Sequence, residues 1–580
     1  MADITVPEGL SHQLERIVDG FAGLGRNWLF ECPTSNEWSP TATVAELVET
    51  WSLAVLNHVR GFLTASGNIE VAERRYRIWL GFHDPALTAE VLELAARLVH
   101  DFASDTCDVA GADASLDAIF AKCRLRHPDY QARILMLGAE ATDVPWQPAW
   151  GQRQFWQFGW GARSRVFFET MSNDDGALSL DVTLVKDRTK AALRRFGVPT
   201  PDHVFISNEA DLAAAVGKIG FPCVTKPLDL GGGKGISSGL SSIEDVQRGY
   251  AYARRFTGKP ILLERFVPGD DHRILVIDGR VFSCGVRKRP VVTGDGKRTI
   301  AELVEAHNAD LPRVRLASSG NLKPILVDEA ALDHLEMNGR SLGTVLAAGE
   351  TATVRGNCNV STGGSFDNSI GNLHPETRAT AELIARTMRS RVCGLDYITT
   401  DISLPSSETD GAFIEVNMTP GVEDLERCGH SEAEVGARVL GKLPGRIPLD
   451  IVIVGEGLIE KAKVWARMEC ADMGSGWATH DEAGIDGVAL TPERWHPWSG
   501  VAALLSINST ERALVIADAA RVMRYGLPVD KANRLWIVEG VLNPLWTEVC
   551  AGTSKAALWQ GNWEAFQRDW PSDRSSLSGR

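Results

Sequence analysis

The stretches FPCVTKPLDLGGGKGISSGL (221–240) and PILLERFVPGDDHRILVIDG (260–279) decide the fold. Cys223-Val224-Thr225 is an apolar run bounded by Pro222 and Pro227, which predicts a short buried strand carrying Lys226 near its end. Gly231-Gly232-Gly233-Lys234-Gly235 follows. Glycines leave backbone N–H groups uncovered and able to approach phosphate oxygens, with Lys234 as a point charge. A flexible surface loop is the plain alternative for such a run. Ile236 stands where the P-loop pattern GxxxxGK[ST] needs Ser or Thr, so a different kind of phosphate site is indicated. Ile261-Leu262-Leu263 predicts a second buried strand, ending on Glu264-Arg265-Phe266-Val267. Backbone groups leaving a strand beside a carboxylate can read the donor edge of an adenine. Gly269 to Arg273 then turns the chain into a hairpin marked by Asp278-Gly279.

The totals bound what this core can serve. A chain of 580 residues has room for three or four domains. A formal charge of −15 argues against nucleic acid or an anionic membrane as partner, though it leaves room for a local basic cleft. No apolar run reaches membrane-spanning length, and MADITVPEGL lacks the shape of a signal peptide. The ten cysteines are scattered with no CxxC pair, as suits reduced thiols in a cytoplasm. All 17 tryptophans fall before residue 161 or after residue 464, which divides the chain into two flanks and a centre.

Residues 1 to about 140 read mostly as helices, with apolar residues at three- and four-residue spacing in 44–63 and 88–103. From Arg133 the text ILMLGAEATDVPWQ suggests a strand and then a helix or turn. Residues 187–196 predict a helix closed by Gly197, and Asn208 to Gly220 predicts a second one capped by Asn208 and Asp211. Thr299 to Glu302 is a capping box opening another. In Ala412 to Asn417, strand parity puts Phe413, Glu415 and Asn417 on one face and Ile414 and Val416 on the core side. Two oxygen ligands two residues apart on a strand suit Mg2+ held mainly by ATP oxygens. Asp396 and Asp401 are five apart and point to opposite faces unless a bulge intervenes.

A strand with lysine, a glycine loop, a helix and then strand–acid–hairpin resembles the ATP-grasp fold. The wording KPLD…GKG followed by ER-x-x-PG-x-DHR is similar to the ATP-grasp module of the cyanophycin synthetase family. Further matches are Gln157, Gly159, Gly161 and Arg165 before the module, and K-D-x-T-K from Lys186. GDGK (294–297) and the run from Arg355 through Asn359 to Gly364 also match. The resemblance implies that Lys186, Lys226 and the 231–235 loop hold ATP, with Glu264, Asp271 and the Arg265-Phe266-Val267 hinge at adenine and ribose. It implies Asp396, Glu415 and Asn417 as metal ligands, and Arg273, Arg355 and Asn359 as the groups that stabilise transferred charge. Arg287-Lys288-Arg289 departs from the family, which has an acid–arginine pair there, and makes that edge more basic; Arg163 and Arg165 are further candidates for an anionic substrate.

The expected fold class is α/β multidomain. It comprises a mostly helical to mixed N-terminal domain (1–178), an ATP-grasp domain of two α+β subdomains clasping ATP (179–436), and an α/β degenerate Mur-ligase-like domain (445–580). In the last, Gly455-Glu456-Gly457-Leu458 stands where the family has a true P-loop, and Glu456 would repel phosphate. That region reads as a truncated, disarmed scaffold. The function implied is an ATP-dependent ligase that phosphorylates a carboxylate and lets an amine displace the phosphate, with amino acids or short peptides as substrates. A nucleotide-binding pseudoenzyme or regulatory subunit and a carboxylate kinase are the alternatives. A cytoplasmic homo-oligomer is expected.

Overall fold

The computed structural model describes residues 2–5, 13–24, 40–151, 154–228, 230–231, 233–310, 323–422, 425 and 428–571. They form two compact units: Met1–Leu137 with Glu169–Met171 and Asp175–Val439, and Gly138–Phe168 with Ser172–Asp174 and Leu440–Arg580. The segment just after residue 137 therefore packs with the C-terminal region.

In the first unit, strands Ala2–Thr5, Arg75–Leu80 and Ser66–Ala72 form an antiparallel sheet in that order. Tyr76, Ile78 and Leu80 alternate inward along the middle strand, as a sheet with one wet face requires. Helices Pro40–His58 and Pro85–Ala103 pack with it, and Phe21 meets the ring of Trp51 edge-on at 5.1 Å. Asp84 caps the second helix, its Oδ1 accepting from Leu87 N at 2.9 Å, with Pro85 at the first turn. The strand expected near Ile134 is instead the helix Tyr130–Ala141. The Asp129 carboxylate accepts from Ala132 N at 2.8 Å and starts it, and a short apolar run fits either structure until such a cap is seen.

The central region holds two antiparallel sheets. One runs Ser237–Leu240, Cys223–Pro227, Ile261–Arg265, His203–Ile206. Helices Leu212–Ile219 and Ile243–Arg254 pack with its core residues Ile261 and Leu263, both fully buried, a gain of roughly 1.5–3 kcal/mol for each side chain. The other runs Ser365–Asn368, Arg280–Lys288, Asp270–Ile277, Val392–Thr399, Ala412–Asn417, with helix Pro375–Thr387 against it. A smaller piece with its own core pairs Val291–Thr293 with Thr351–Thr353 beside helices Ile300–Asp310 and Glu329–Met337. The capping boxes expected at Asn208/Asp211 and Thr299/Glu302 are present.

Register corrects the parity argument at Ala412–Asn417. Asp396 pairs with Glu415, but Tyr397 pairs with Phe413, so the ladder shifts by one residue between them. Phe413 goes into the core against Tyr397, with ring centroids 4.8 Å apart, and Ile414 turns outward, while Glu415 and Asn417 keep their face. One extra residue reverses everything on one side of it.

In the second unit, among the described residues, parallel strands Ser475–Ala478, Arg512–Asp518, Leu449–Val454, Arg534–Val538 and Trp559–Gly561 lie in that order. Both faces are covered. Ile451 and Val515 face one core, while Val452 and Leu514 face another with Trp465, Trp536 and Phe566.

Candidate active site

A cavity of about 830 Å³ lies wholly within the first unit, walled by both central sheets and by the smaller piece. Among the described residues lining it are eight Lys or Arg against five Asp or Glu. In a chain of net charge −15 this is the local basic cleft that a polyanion needs.

Helix Lys186–Arg195 fastens one wall. Lys186 Nζ donates to Leu230 O at 2.6 Å, just before the glycine run. Asp187 Oδ1 lies 2.9 Å from His203 Nε2, and His203 pairs with Glu264 across the sheet. One turn on, Lys190 Nζ is 2.7 Å from Glu264 Oε2, and Lys226 Nζ donates to Glu264 Oε1 at 2.7 Å. Burial works against the Glu264 charge, but the two lysines outweigh it and hold the carboxyl below its usual range. Burial and then Lys226 push Lys190 down to about 8, against the pull of Glu264.

Gly231 and Gly233 reach the cavity. A Cβ on Gly231 would meet nothing within 4 Å, so its backbone has open space beside it. Gly232 lies outside the described residues. Lys234 and Gly235 do not line the cavity. Lys234 is exposed, and Gly235 is buried where a Cβ would lie 2.8 Å from Pro227. Arg265, Phe266 and Val267 line the cavity as the strand ends.

The opposite wall is the three-strand neighbourhood of Asp396. Arg273 and Glu415 pair with it from the strands on either side, and Asp271 lies one pleat along from Arg273. Arg287 Nη2 bridges Asp271 Oδ1 at 2.7 Å and Asp396 Oδ2 at 2.8 Å, while Arg273 Nη1 lies 3.0 Å from Asp396 Oδ1. Burial opposes the charge of Asp396, yet Arg273 and Arg287 hold it ionised below the usual range. Burial pushes Asp271 up in spite of Arg287, so the two acids share one arginine unequally. Asn417 Oδ1 accepts from Thr419 N at 2.9 Å. Asp401 instead holds the Ser403 turn and does not line the cavity.

Several expected roles need correcting. Glu264, expected to meet adenine or ribose, is tied to two lysines: Lys226 donates to Oε1, and Lys190 forms an ion pair at Oε2. Arg355, almost fully buried, donates to Leu326 O at 2.7 Å and to Asp328 Oδ1 at 2.5 Å, while its Nε is buried without a partner. Arg287 and Lys288 are neutralised, the latter by Asp367 at 2.6 Å, which leaves Arg289, beside Cys358, as the basic departure facing the cavity. Arg163 and Arg165 belong to the second unit. Arg163 donates to Arg446 O at 2.8 Å and Arg165 pairs with Asp174, and neither lines the cavity. Asn359 does.

Sequence reasoning missed Lys190, Tyr252 and His334. Lys190 had one usable signal, its place one helical turn after Lys186. His334 Nε2 lies 3.0 Å from Thr353 Oγ1, and burial, then Arg289 and Arg355, lower its pKa.

No family model matches the chain. It is 35% identical over 331 residues to cyanophycin synthetase of Crocosphaera subtropica, covering 56% of this chain and 38% of that protein. It is 34% identical over 404 residues to cyanophycin synthetase of Synechocystis sp., covering 68% and 46%. The chain is similar to cyanophycin synthetase over a stretch that takes in most of the cavity. Similarity extends to the glutathione biosynthesis bifunctional protein GshAB of Streptococcus mutans, 30% over 263 residues, covering 44% of this chain and 34% of that one. The chain spans less than half the length of these relatives.

The residues of the cavity pass two tests of fit. For a nucleotide, the open backbone at Gly231 lies in the same cavity as Lys186 and Lys226. For a hard cation, Asp396, Glu415 and Asn417 offer oxygens on adjacent strands, and Asp396 Oδ1 is buried with no aligned donor. No group of three His, Cys, Asp or Glu among the described residues is arranged to hold a metal by itself. Two carboxylates and one amide oxygen are the hard donors that suit an ion such as Mg2+, which draws further oxygens from phosphates.

Proposed function

We propose that the protein is an ATP-dependent carboxylate–amine ligase that forms one amide bond per cycle through an acyl phosphate, with an amino acid or short peptide as substrate. The observation that carries this reading is the convergence on one cavity of the open glycine backbone, the two lysines and the set Asp396, Glu415 and Asn417. A substrate carboxylate oxygen attacks the γ-phosphorus and ADP leaves. The amine then attacks the acyl carbon, loses a proton, and inorganic phosphate departs. Lys186 and Lys226 hold phosphates, the hinge at Arg265-Phe266-Val267 reads the base, and Arg273 and Asn359 steady the transferred charge. Arg355, held by Leu326 O and Asp328, lines the same cavity and adds positive charge to its wall. Mg2+, held by Asp396, Glu415 and Asn417, would offset phosphate charge when bound with the nucleotide.

The three-region organisation is part of the same reading, with 445–580 as a Mur-ligase-like domain in a scaffolding role. The packed turn at Gly455 and the charge of Glu456 support one nucleotide site per chain and no repeating polymer. The test is to incubate enzyme, ATP and magnesium with aspartate, arginine and a short primer, following ADP and separating products by mass. A single added residue or a free dipeptide supports the proposal. A ladder of alternating residues, a phosphorylated carboxylate as end product, or no ADP release across a panel of amino acids and short acidic peptides overturns it.

A further inference from the structure

Lys190 is fully buried, does not line the cavity, and ends on Glu264, which does. Each oxygen of that carboxylate faces a different lysine at 2.7 Å: Lys190 from the helix behind, and Lys226 from the neighbouring strand. Lys190 Nζ also donates to Thr200 Oγ1 at 3.3 Å. Two ammonium groups share one carboxylate in a nearly dry setting, so the trio carries one positive charge in excess. Lys226 and Glu264, both buried, are the members of the trio that line the cavity.

We propose that Lys190 is a positioning residue for nucleotide binding: by taking half of the Glu264 charge, it keeps Lys226 from being captured by that carboxylate and leaves it able to bind phosphate. The inference rests on the nucleotide reading of the cavity. Without Lys190, both carboxylate oxygens would be available to one ammonium, and a buried one-to-one pair is a deep well that an incoming phosphate would have to break. With Lys190 in place, an arriving anion balances the excess charge, and Glu264 retains a partner when Lys226 turns towards the ligand. The same helix holds Leu230 O through Lys186, so it contacts both the carboxylate of the trio and the chain just before the glycine run.

Binding of ADP and of a non-hydrolysable ATP analogue to wild type, Lys190→Met, Lys226→Met, Lys190→Met/Lys226→Met and Lys190→Met/Glu264→Gln, measured calorimetrically with melting temperature alongside, tests this. Lys190→Met is expected to weaken nucleotide about tenfold or more when Lys226 is present and by less than about threefold when Lys226 is Met, because the effect passes through that side chain. The Glu264→Gln change is expected to return Lys190→Met to within about threefold of wild type, since no carboxylate is left to capture Lys226. In steady state the loss appears in KM for ATP, with kcat at saturating ATP retained. Equal losses with and without Lys226, or a double variant with Glu264→Gln that folds yet binds as poorly as Lys190→Met, overturns the inference. Should Lys190→Met alone not fold, the variant pairing it with Glu264→Gln decides: binding near wild type supports the proposal and a tenfold loss overturns it. Wild type that binds no nucleotide overturns the cavity's reading and the inference together, whereas wild-type binding matched by Lys190→Met overturns the inference alone.

Discussion

After strand Cys223–Pro227 the chain turns through Gly231, and after strand Leu449–Val454 it turns through Gly455. A Cβ on Gly231 would meet nothing within 4 Å, whereas one on Gly455 would lie 2.1 Å from the carbonyl oxygen of Glu539. One glycine leaves room beside the backbone; the other lets two backbone segments of the same domain touch. Lys186 and Lys226 line the cavity that holds the first. A strand–glycine–helix text is thus no measure of phosphate binding. The space at the glycine is.

The largest expected effect is at the acids that line the cavity of the first unit, with Glu456 beside Gly455 as the contrast. Glu415→Gln should fold and melt like wild type yet lose turnover by roughly 100-fold or more, because a charged oxygen for the cation is gone. Glu456→Gln should change neither turnover nor nucleotide affinity. Activity of Glu415→Gln within about threefold of wild type, well under 1 kcal/mol of barrier, would break the assignment.

The two glycines should then respond in opposite ways to one added methyl. Gly455→Ala forces a Cβ onto a backbone carbonyl and should cost about 1–3 kcal/mol in denaturant unfolding of its unit, with ADP affinity unchanged. Gly231→Ala should unfold as wild type and weaken ADP by about tenfold, since the methyl occupies the ligand's space. The reverse pattern in calorimetry and unfolding curves would exchange the roles given to the two turns.

A smaller effect sharpens the comparison through pH. Burial and Lys226, with Arg194 adding to them, lower Lys190 to about 8, while Glu264 pulls the other way. An anion bound beside the trio favours the protonated form, so binding is full below pH 8 and weakens as pH rises, with proton uptake. ADP should bind up to about tenfold more weakly at pH 9 than at pH 7, and Lys190→Met should flatten that slope. A wild-type profile that is flat or rises with pH would contradict the charge assignment.

Much of this was legible in the sequence because it is local. Proline-bounded apolar runs marked Cys223–Pro227 and Ile261–Arg265, and the Asn208 and Thr299 caps announced their helices. What failed to show was non-local. The register shift that sends Phe413 into the core depends on how Tyr397 pairs across the sheet, and no window of residues contains both. In the sequence Arg287 adds only to a basic edge, because Asp271 and Asp396 reach it only once three strands are in register. The partners of Arg355 and Glu264 are hidden for the same reason: Asp328 and Lys190 are distant in sequence. Sequence motifs named the side chains of the cavity better than they named those side chains' partners.

The central claim, one nucleotide site per chain in the central cavity, is tested most directly by the calorimetric stoichiometry of a non-hydrolysable ATP analogue with magnesium. The account expects one site per chain, abolished by Lys186→Met/Lys226→Met and untouched by Glu456→Gln. Two sites per chain, or a single site that survives loss of both lysines, would contradict it.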